Sequence, residues 1–113
     1  MLRADADAEN YQPGDVIVTE GEPGDRMYIL LEGTVVVSVE GRDIINLGPG
    51  NIFGEMSVIN EEARSATVRA RDAVRVVAIT RKRFLFLTQQ TPYFALHVMQ
   101  LLSDRIRRMN RFT

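Results

Sequence analysis

Two residues, Glu55 and Arg64, carry the most specific chemical signal in this sequence. They sit in the stretch Phe53-Gly54-Glu55-Met56-Ser57-Val58-Ile59-Asn60-Glu61-Glu62-Ala63-Arg64-Ser65-Ala66-Thr67-Val68. The planar guanidinium of an arginine suits two oxygens of one phosphate at once. Gly54 lets a backbone approach a ligand closely. A helical turn from Glu55 to Asn60 leaves its first N–H groups unpaired, and such a terminus attracts an anion. Beside Arg64, Ser65 offers a hydroxyl, and Ser65 and Ala66 offer backbone N–H donors that the small alanine leaves accessible. Glu55 is the odd member, because a carboxylate is repelled by a phosphate. It fits if it accepts hydrogen bonds from hydroxyl groups and is partly neutralised by Arg64. A sugar 2′-hydroxyl next to a phosphodiester meets that need. The residues alone leave a second reading equally open, in which Glu55 and Arg64 form a structural ion pair.

The elements around this stretch are short strands first and helices afterwards. The turn triplet Pro13-Gly14-Asp15 recurs as Pro23-Gly24-Asp25, with residue types that favour tight turns. Strands are expected at Val16-Ile17-Val18, Met27 to Leu31, Thr34 to Glu40, Ile44 to Leu47, Ser65 to Ala70 and Val74 to Ile79. The valine-rich run 34–40 suits a half-buried pleated surface. Turn signals about every 8–12 residues point to a β-sandwich or barrel-like roll rather than βαβ units. Thr80 can cap a helix running to Gln90. Arg81-Lys82-Arg83 in its first turn opposes the helix dipole, so packing of Phe84, Leu85 and Leu87 must stabilise it. Pro92 suits the first turn of a second helix. There Phe94, Val98, Leu101 or Leu102, Arg105 or Ile106, and Met109 form an amphipathic stripe, with Arg105, Arg107, Arg108 and Arg111 complementing the dipole at its end. That stripe covers the roll, or covers it and also pairs two copies of the chain. The expected organisation is a short N-terminal segment over 1–10, a roll over 11–79 and helices over 80–113.

Composition narrows the class. With 113 residues, 45% hydrophobic and 26% charged, the chain suits one globular domain. No apolar run approaches the roughly 20 residues that span a bilayer, and the short acidic start is not expected to act as a secretory signal. The sequence has no cysteine, hence no disulfide or thiolate metal site, and a cytoplasmic protein is expected. Acidic residues crowd into 1–62 and basic ones into 63–113. The plain explanation is that different elements carry opposite solvated charges.

The stretch 53–68 resembles the phosphate-binding cassette of cyclic-nucleotide-binding domains, the family of the bacterial catabolite activator, protein kinase A regulatory subunits and cyclic-nucleotide-gated channels. Gly54, Glu55, Met56, small Ser57, apolar Val58 and then Arg64-Ser65-Ala66-Thr67-Val68 all agree with it. A second, independently placed signature is Ile17-Val18, Gly21-Glu22, Gly24, the apolar run Met27-Tyr28-Ile29-Leu30, and Gly33. The resemblance covers about residues 11–110. It implies a mainly β fold with C-terminal helices: an antiparallel, jelly-roll-like β-roll (a double-stranded β-helix) with a short phosphate-binding helix and two terminal helices. It implies that Arg64 grips a cyclic phosphate and Glu55 the ribose 2′-hydroxyl, with Gly54, Met56, Ser65 and Ala66, and also Ser57, bordering the sugar phosphate. Val39 and Ile45 would wall the base. The last helix would act as a lid, bringing Arg105, Arg108 and Asn110 to the purine. Ser65 in place of threonine tilts the ligand toward cAMP over cGMP. Relatives usually have helices ahead of the roll where ten residues, Met1–Asn10, stand here, so a relay to an effector through such helices is not expected. The expected role is therefore a regulatory, ligand-switched module without catalytic or metal residues or a cofactor, serving a fused or separate effector. The alternatives are a degenerate module that has lost its ligand, or a piece of a larger transcription regulator or channel.

Other classes fit poorly. A metal enzyme on a β-roll needs a cluster of histidines and a carboxylate, and His97 is the only histidine. A hydrolytic triad lacks a base for the same reason. Gly48, Gly50 and Gly54 miss the spacing of a dinucleotide fingerprint and no βαβ unit surrounds them. DNA recognition needs an element that enters a groove, and no DNA-binding segment is expected after Met109.

Overall fold

The structure, a computed structural model, describes residues 8–110. It contains eight strands: β1 (Ala8–Tyr11), β2 (Val16–Val18), β3 (Arg26–Glu32), β4 (Val35–Val39), β5 (Arg42–Leu47), β6 (Ile52–Phe53), β7 (Thr67–Ala70) and β8 (Val74–Thr80). The helices are α1 (Glu55–Ile59), α2 (Arg81–Gln90) and α3 (Pro92–Asn110). The strands form two four-stranded sheets, ordered β1-β8-β3-β6 and β2-β7-β4-β5, with antiparallel pairing throughout. This is the expected β-roll. The chain divides into two compact units, Met1–Arg81 and Lys82–Thr113.

The core of the first unit is apolar and drawn from both sheets. Tyr28, Leu30, Leu47, Phe53, Val68 and Val76 belong to one buried cluster. Strands from distant parts of the sequence meet there, which is why the register is strongly specified: a slip by one residue would turn buried side chains outward. The left-handed backbone at Gly33 (φ 89) turns β3 into β4, and a Cβ there would lie 2.3 Å from the Ala73 carbonyl oxygen. Only glycine fits that corner.

Two strands were not legible from composition. β1 begins at Ala8, so the N-terminal segment assigned to 1–10 already contributes sheet; residues 1–7 lie outside the described residues. Its run Ala-Glu-Asn-Tyr has poor strand propensity, and its state is set by pairing with β8, Glu9 opposite Val76 and Tyr11 opposite Val74. β6 is two residues long, too short for any alternation, and is held by Tyr28 and Ile29 of β3. Conversely, the strand expected from Ser65 starts at Thr67, leaving Ser65 and Ala66 in the preceding bend. The charge asymmetry has a structural outlet in ion pairs that join the two halves of the sequence: Arg69 with Asp43, and Arg75 with Glu32.

In the second unit α2 has no buried residue and α3 has one, Val98. Phe84 and Phe94 meet edge to face, with centroids 5.8 Å apart. Leu85, expected to pack, is 48% exposed, because it points away from the face that carries Phe84 and Leu87. Phe94, Val98, Leu101, Leu102 and Arg105 are at least half-buried, as the stripe requires, while Ile106 and Met109 are exposed. Arg111 lies outside the described residues.

Candidate functional site

Gly54 opens the site. It takes the left-handed conformation (φ 75, ψ 11) at the N-cap of α1, which costs glycine little. The chain then turns Glu55, Ser57 and Val58 inward, all three buried. At the other end of α1 the Asn60 N–H donates to the Met56 carbonyl. Arg81 donates from Nη1 to the Val58 carbonyl and pairs through Nε with Glu61 at 3.0 Å. A cation at the last carbonyls of a helix is favourable, and the same contacts give Arg81 a partner despite its place in the first turn of α2.

Arg64 is fixed at both backbone and side chain. Its N–H donates to the Glu22 carbonyl (2.9 Å) and its own carbonyl accepts from the Gly21 N–H (2.8 Å). Nη1 donates to the carbonyls of Arg26 (2.9 Å) and Gly54 (3.0 Å) and to Ser57 Oγ (3.3 Å). Glu55 is not among these acceptors, so the guanidinium is held to the turn by neutral oxygens and not by an ion pair with that carboxylate. The Tyr28 ring lies 5.9 Å from Arg64 Cζ, within cation–π range, and is itself stacked on Phe53 at 5.0 Å.

Two glycines make room for the guanidinium. A Cβ on Gly24 would stand 2.3, 2.4 and 2.8 Å from Nε, Cζ and Nη2 of Arg64, and one on Gly54 would stand 2.8 Å from Nη1. The near-equal distances to three atoms put the Gly24 position above the flat face of the fork. Among the described residues, Nε and Nη2 donate to no protein acceptor. A fork anchored on one nitrogen with its other edge free is suited to two oxygens of a phosphate.

The remaining sequence-derived candidates are placed as follows. Met56 is half-buried on α1, Ser65 is exposed and Ala66 half-buried, both directly after Arg64. Val39 is half-buried at the end of β4, opposite Arg42. Ile45 is half-buried opposite Val37 and packs against the core cluster. Arg105, Arg108 and Asn110 belong to α3 in the second unit, Arg105 half-buried and the other two exposed. His97 is exposed on the same helix, and the described residues contain no group of three or more His, Cys, Asp or Glu able to hold a metal ion. Among them no helix is long and apolar enough to cross a membrane. Sequence reasoning missed Tyr28 and Gly24 as neighbours of Arg64. Both stood in the second signature, where Tyr28 read only as part of an apolar run.

Comparison with known proteins bears on the family of the chain. The family model for the cyclic nucleotide-binding domain matches residues 8–91. The cGMP-dependent protein kinase of Toxoplasma gondii is 45% identical over 74 residues, 66% of this chain and 7% of that protein. The cAMP-dependent protein kinase regulatory subunit of Dictyostelium discoideum is 39% identical over 83 residues, 66% of this chain and 25% of that protein. The catabolite activator protein of Thermus thermophilus superposes with a TM-score of 0.78 at 32% identity, covering 89% of this chain and 50% of that one. The chain thus spans a quarter or less of these two kinase relatives. Fold, site and sequence lead to one statement: the chain belongs to the cyclic nucleotide-binding domain family.

Proposed function

We propose that this domain binds a cyclic nucleoside monophosphate, cAMP in preference to cGMP, and acts as the ligand-sensing regulatory part of a larger signalling assembly. Arg64 takes two oxygens of the cyclic phosphate through its Nε–Nη2 edge. Glu55 accepts from the ribose 2′-hydroxyl, and Gly54, Met56, Ser65 and Ala66 border the sugar phosphate. The observation that carries this reading is the half-anchored guanidinium: Nη1 is occupied by Arg26, Gly54 and Ser57, while the opposite edge has no protein acceptor among the described residues. Every residue invoked lies in the first unit. The preference for cAMP is supported by Ser65 alone; the two kinase relatives carry opposite nucleotides in their names and do not choose between them. A cytoplasmic setting is supported by the cysteine-free chain.

Calorimetric titration with cAMP and cGMP tests the reading. Arg64→Ala removes charge-assisted contacts worth about 1.5–3 kcal/mol, so cAMP affinity is expected to fall by roughly 10- to 150-fold. An unchanged affinity in that variant excludes Arg64 as the phosphate ligand. Equal weak heats for both nucleotides with the native protein point instead to a module that has lost its ligand.

A further inference from the structure

The hydrogen bonds of Arg64 do not by themselves set the tilt of its guanidinium. All of those from its side chain leave from Nη1, and a hydrogen bond tolerates tens of degrees of bend. Bonds at one corner of a flat group fix that corner better than they fix its plane. The plane must be set by what touches its faces. Gly24 is one such neighbour, where an added Cβ would overlap Nε, Cζ and Nη2. An aromatic ring is another: Arg64 Cζ lies over Tyr28, 5.9 Å from the ring centroid.

The surroundings of that ring favour a cation. Tyr28 is 3% exposed on β3 and stacked on Phe53, with centroids 5.0 Å and planes 17° apart. A Cβ on Gly54 would stand 3.5 Å from its Cδ2, so the ring borders the turn that binds Nη1. An aromatic face carries negative potential, and it attracts a guanidinium more strongly where water is excluded. Arg26 also lies over the ring, at 5.4 Å, but it has the Glu9 carboxylate as a partner at 3.2 Å. The acceptors of Arg64 Nη1 are uncharged: two carbonyls and the Ser57 hydroxyl. We propose that Tyr28 is a positioning residue, whose ring face holds the Arg64 guanidinium in the orientation that offers its Nε–Nη2 edge to the cyclic phosphate. It acts through Arg64 and needs no contact with the ligand. This assignment rests on the reading of Arg64 as the phosphate-binding residue.

The test varies the charge on the ring face while leaving its size nearly constant. Position 28 is filled with phenylalanine, then with phenylalanines carrying one, two and three ring fluorines, which drain the face of negative potential. Calorimetry gives the cAMP affinity of each, in the native background and in Arg64→Ala. Tyr28→Phe is expected to stay within about twofold of the native protein, because the ring is kept. Affinity should then fall with each fluorine, by about threefold to tenfold at the third. In Arg64→Ala the same series should be flat to within about twofold, since the cation that feels the ring is gone. An affinity that ignores the fluorine count, or that follows the unfolding midpoint of each variant instead, makes Tyr28 a packing residue and overturns the proposal. A trend that persists in Arg64→Ala assigns the effect to Arg26 and overturns it as well, and a loss well beyond twofold in Tyr28→Phe assigns it to the hydroxyl with the same result. Arg64→Ala with native affinity for cAMP removes the underlying reading, whatever the ring series shows.

Discussion

The two units of this chain use apolar residues in opposite ways. Before Lys82, strands far apart in sequence interleave, and every buried apolar side chain among the described residues except Val98 is found there. After it, Leu85, Phe86, Tyr93, Leu96, Met99, Ile106 and Met109 stay largely exposed. The polar contacts differ in the same sense. Arg64 alone joins the segments around Gly21, Arg26, Gly54 and Ser57, whereas Thr88 donates to the Leu85 carbonyl and Arg107 pairs with Asp104, each within one turn of its own helix. The lesson is that the candidate site is built in the unit where long-range contacts are dense. A guanidinium anchored by such contacts is already ordered, which would lower the ordering cost of the binding proposed for it.

The sharpest way to break this contrast is to delete one aromatic ring in each half. Phe53 is 2% exposed, stacked on Tyr28 and part of the core cluster. Phe53→Ala is expected to cost about 3–5 kcal/mol of stability. Phe86 is 52% exposed, and Phe86→Ala is expected to stay within about 0.5 kcal/mol. Urea unfolding followed by circular dichroism reads both. Equal losses would mean that the second unit is as tightly built as the first.

The same contrast explains what was legible in the sequence. Strands such as β3 and β8 declare themselves through β-branched and apolar runs, and the stretch 53–68 through a glycine, an acid and an arginine at fixed spacing. β1 and β6 do not, because their state depends on partners many residues away. Glu9 is a poor strand residue that becomes one by pairing with Val76 and bonding Arg26. The site was legible in its residue types, Gly54, Glu55, Ser57 and Arg64, yet not in its wiring. Periodicity cannot tell that Arg64 Nη1 meets the Arg26 carbonyl, nor that Gly24 is a glycine for the sake of the guanidinium above it. In α3 the apolar stripe was read correctly at Phe94 and Val98, but Ile106 and Met109 show that a helix can carry more apolar residues than it buries.

A second comparison lies within the first unit. Gly33 and Gly41 both have left-handed backbone, φ 89 and φ 80. Around Gly41 nothing lies within 4 Å of an added Cβ, whereas at Gly33 the Ala73 carbonyl and the Val74 side chain already occupy that space. Gly41→Ala therefore meets only the backbone penalty, about 1 kcal/mol. Gly33→Ala adds overpacking, about 1–3 kcal/mol more. If thermal unfolding shows equal losses, the β3–β4 corner is looser than its packing implies.

The smallest expected effect concerns how β1 is attached. Tyr11 donates to Glu9 at 3.0 Å, and Glu9 pairs with Arg26 at 3.2 Å. Burial first, then the hydrogen bond to the Glu9 carboxylate and its negative charge, push the Tyr11 phenol up to about 12 from an ordinary value of 10.0. The folded protein thus holds the neutral phenol more firmly than the unfolded chain does. The resulting stability is fully present below pH 10, declines as pH rises from there, and is gone above about 12. Tyr11→Phe keeps the ring and removes the hydroxyl, so at neutral pH it should cost about 1 kcal/mol. The gap between the native protein and this variant should then narrow between pH 10 and 12, because only the native protein loses a contact there. Urea midpoints measured for both across that range decide it. A gap that stays constant would mean that folding does not hold the Tyr11 phenol neutral beyond its ordinary range.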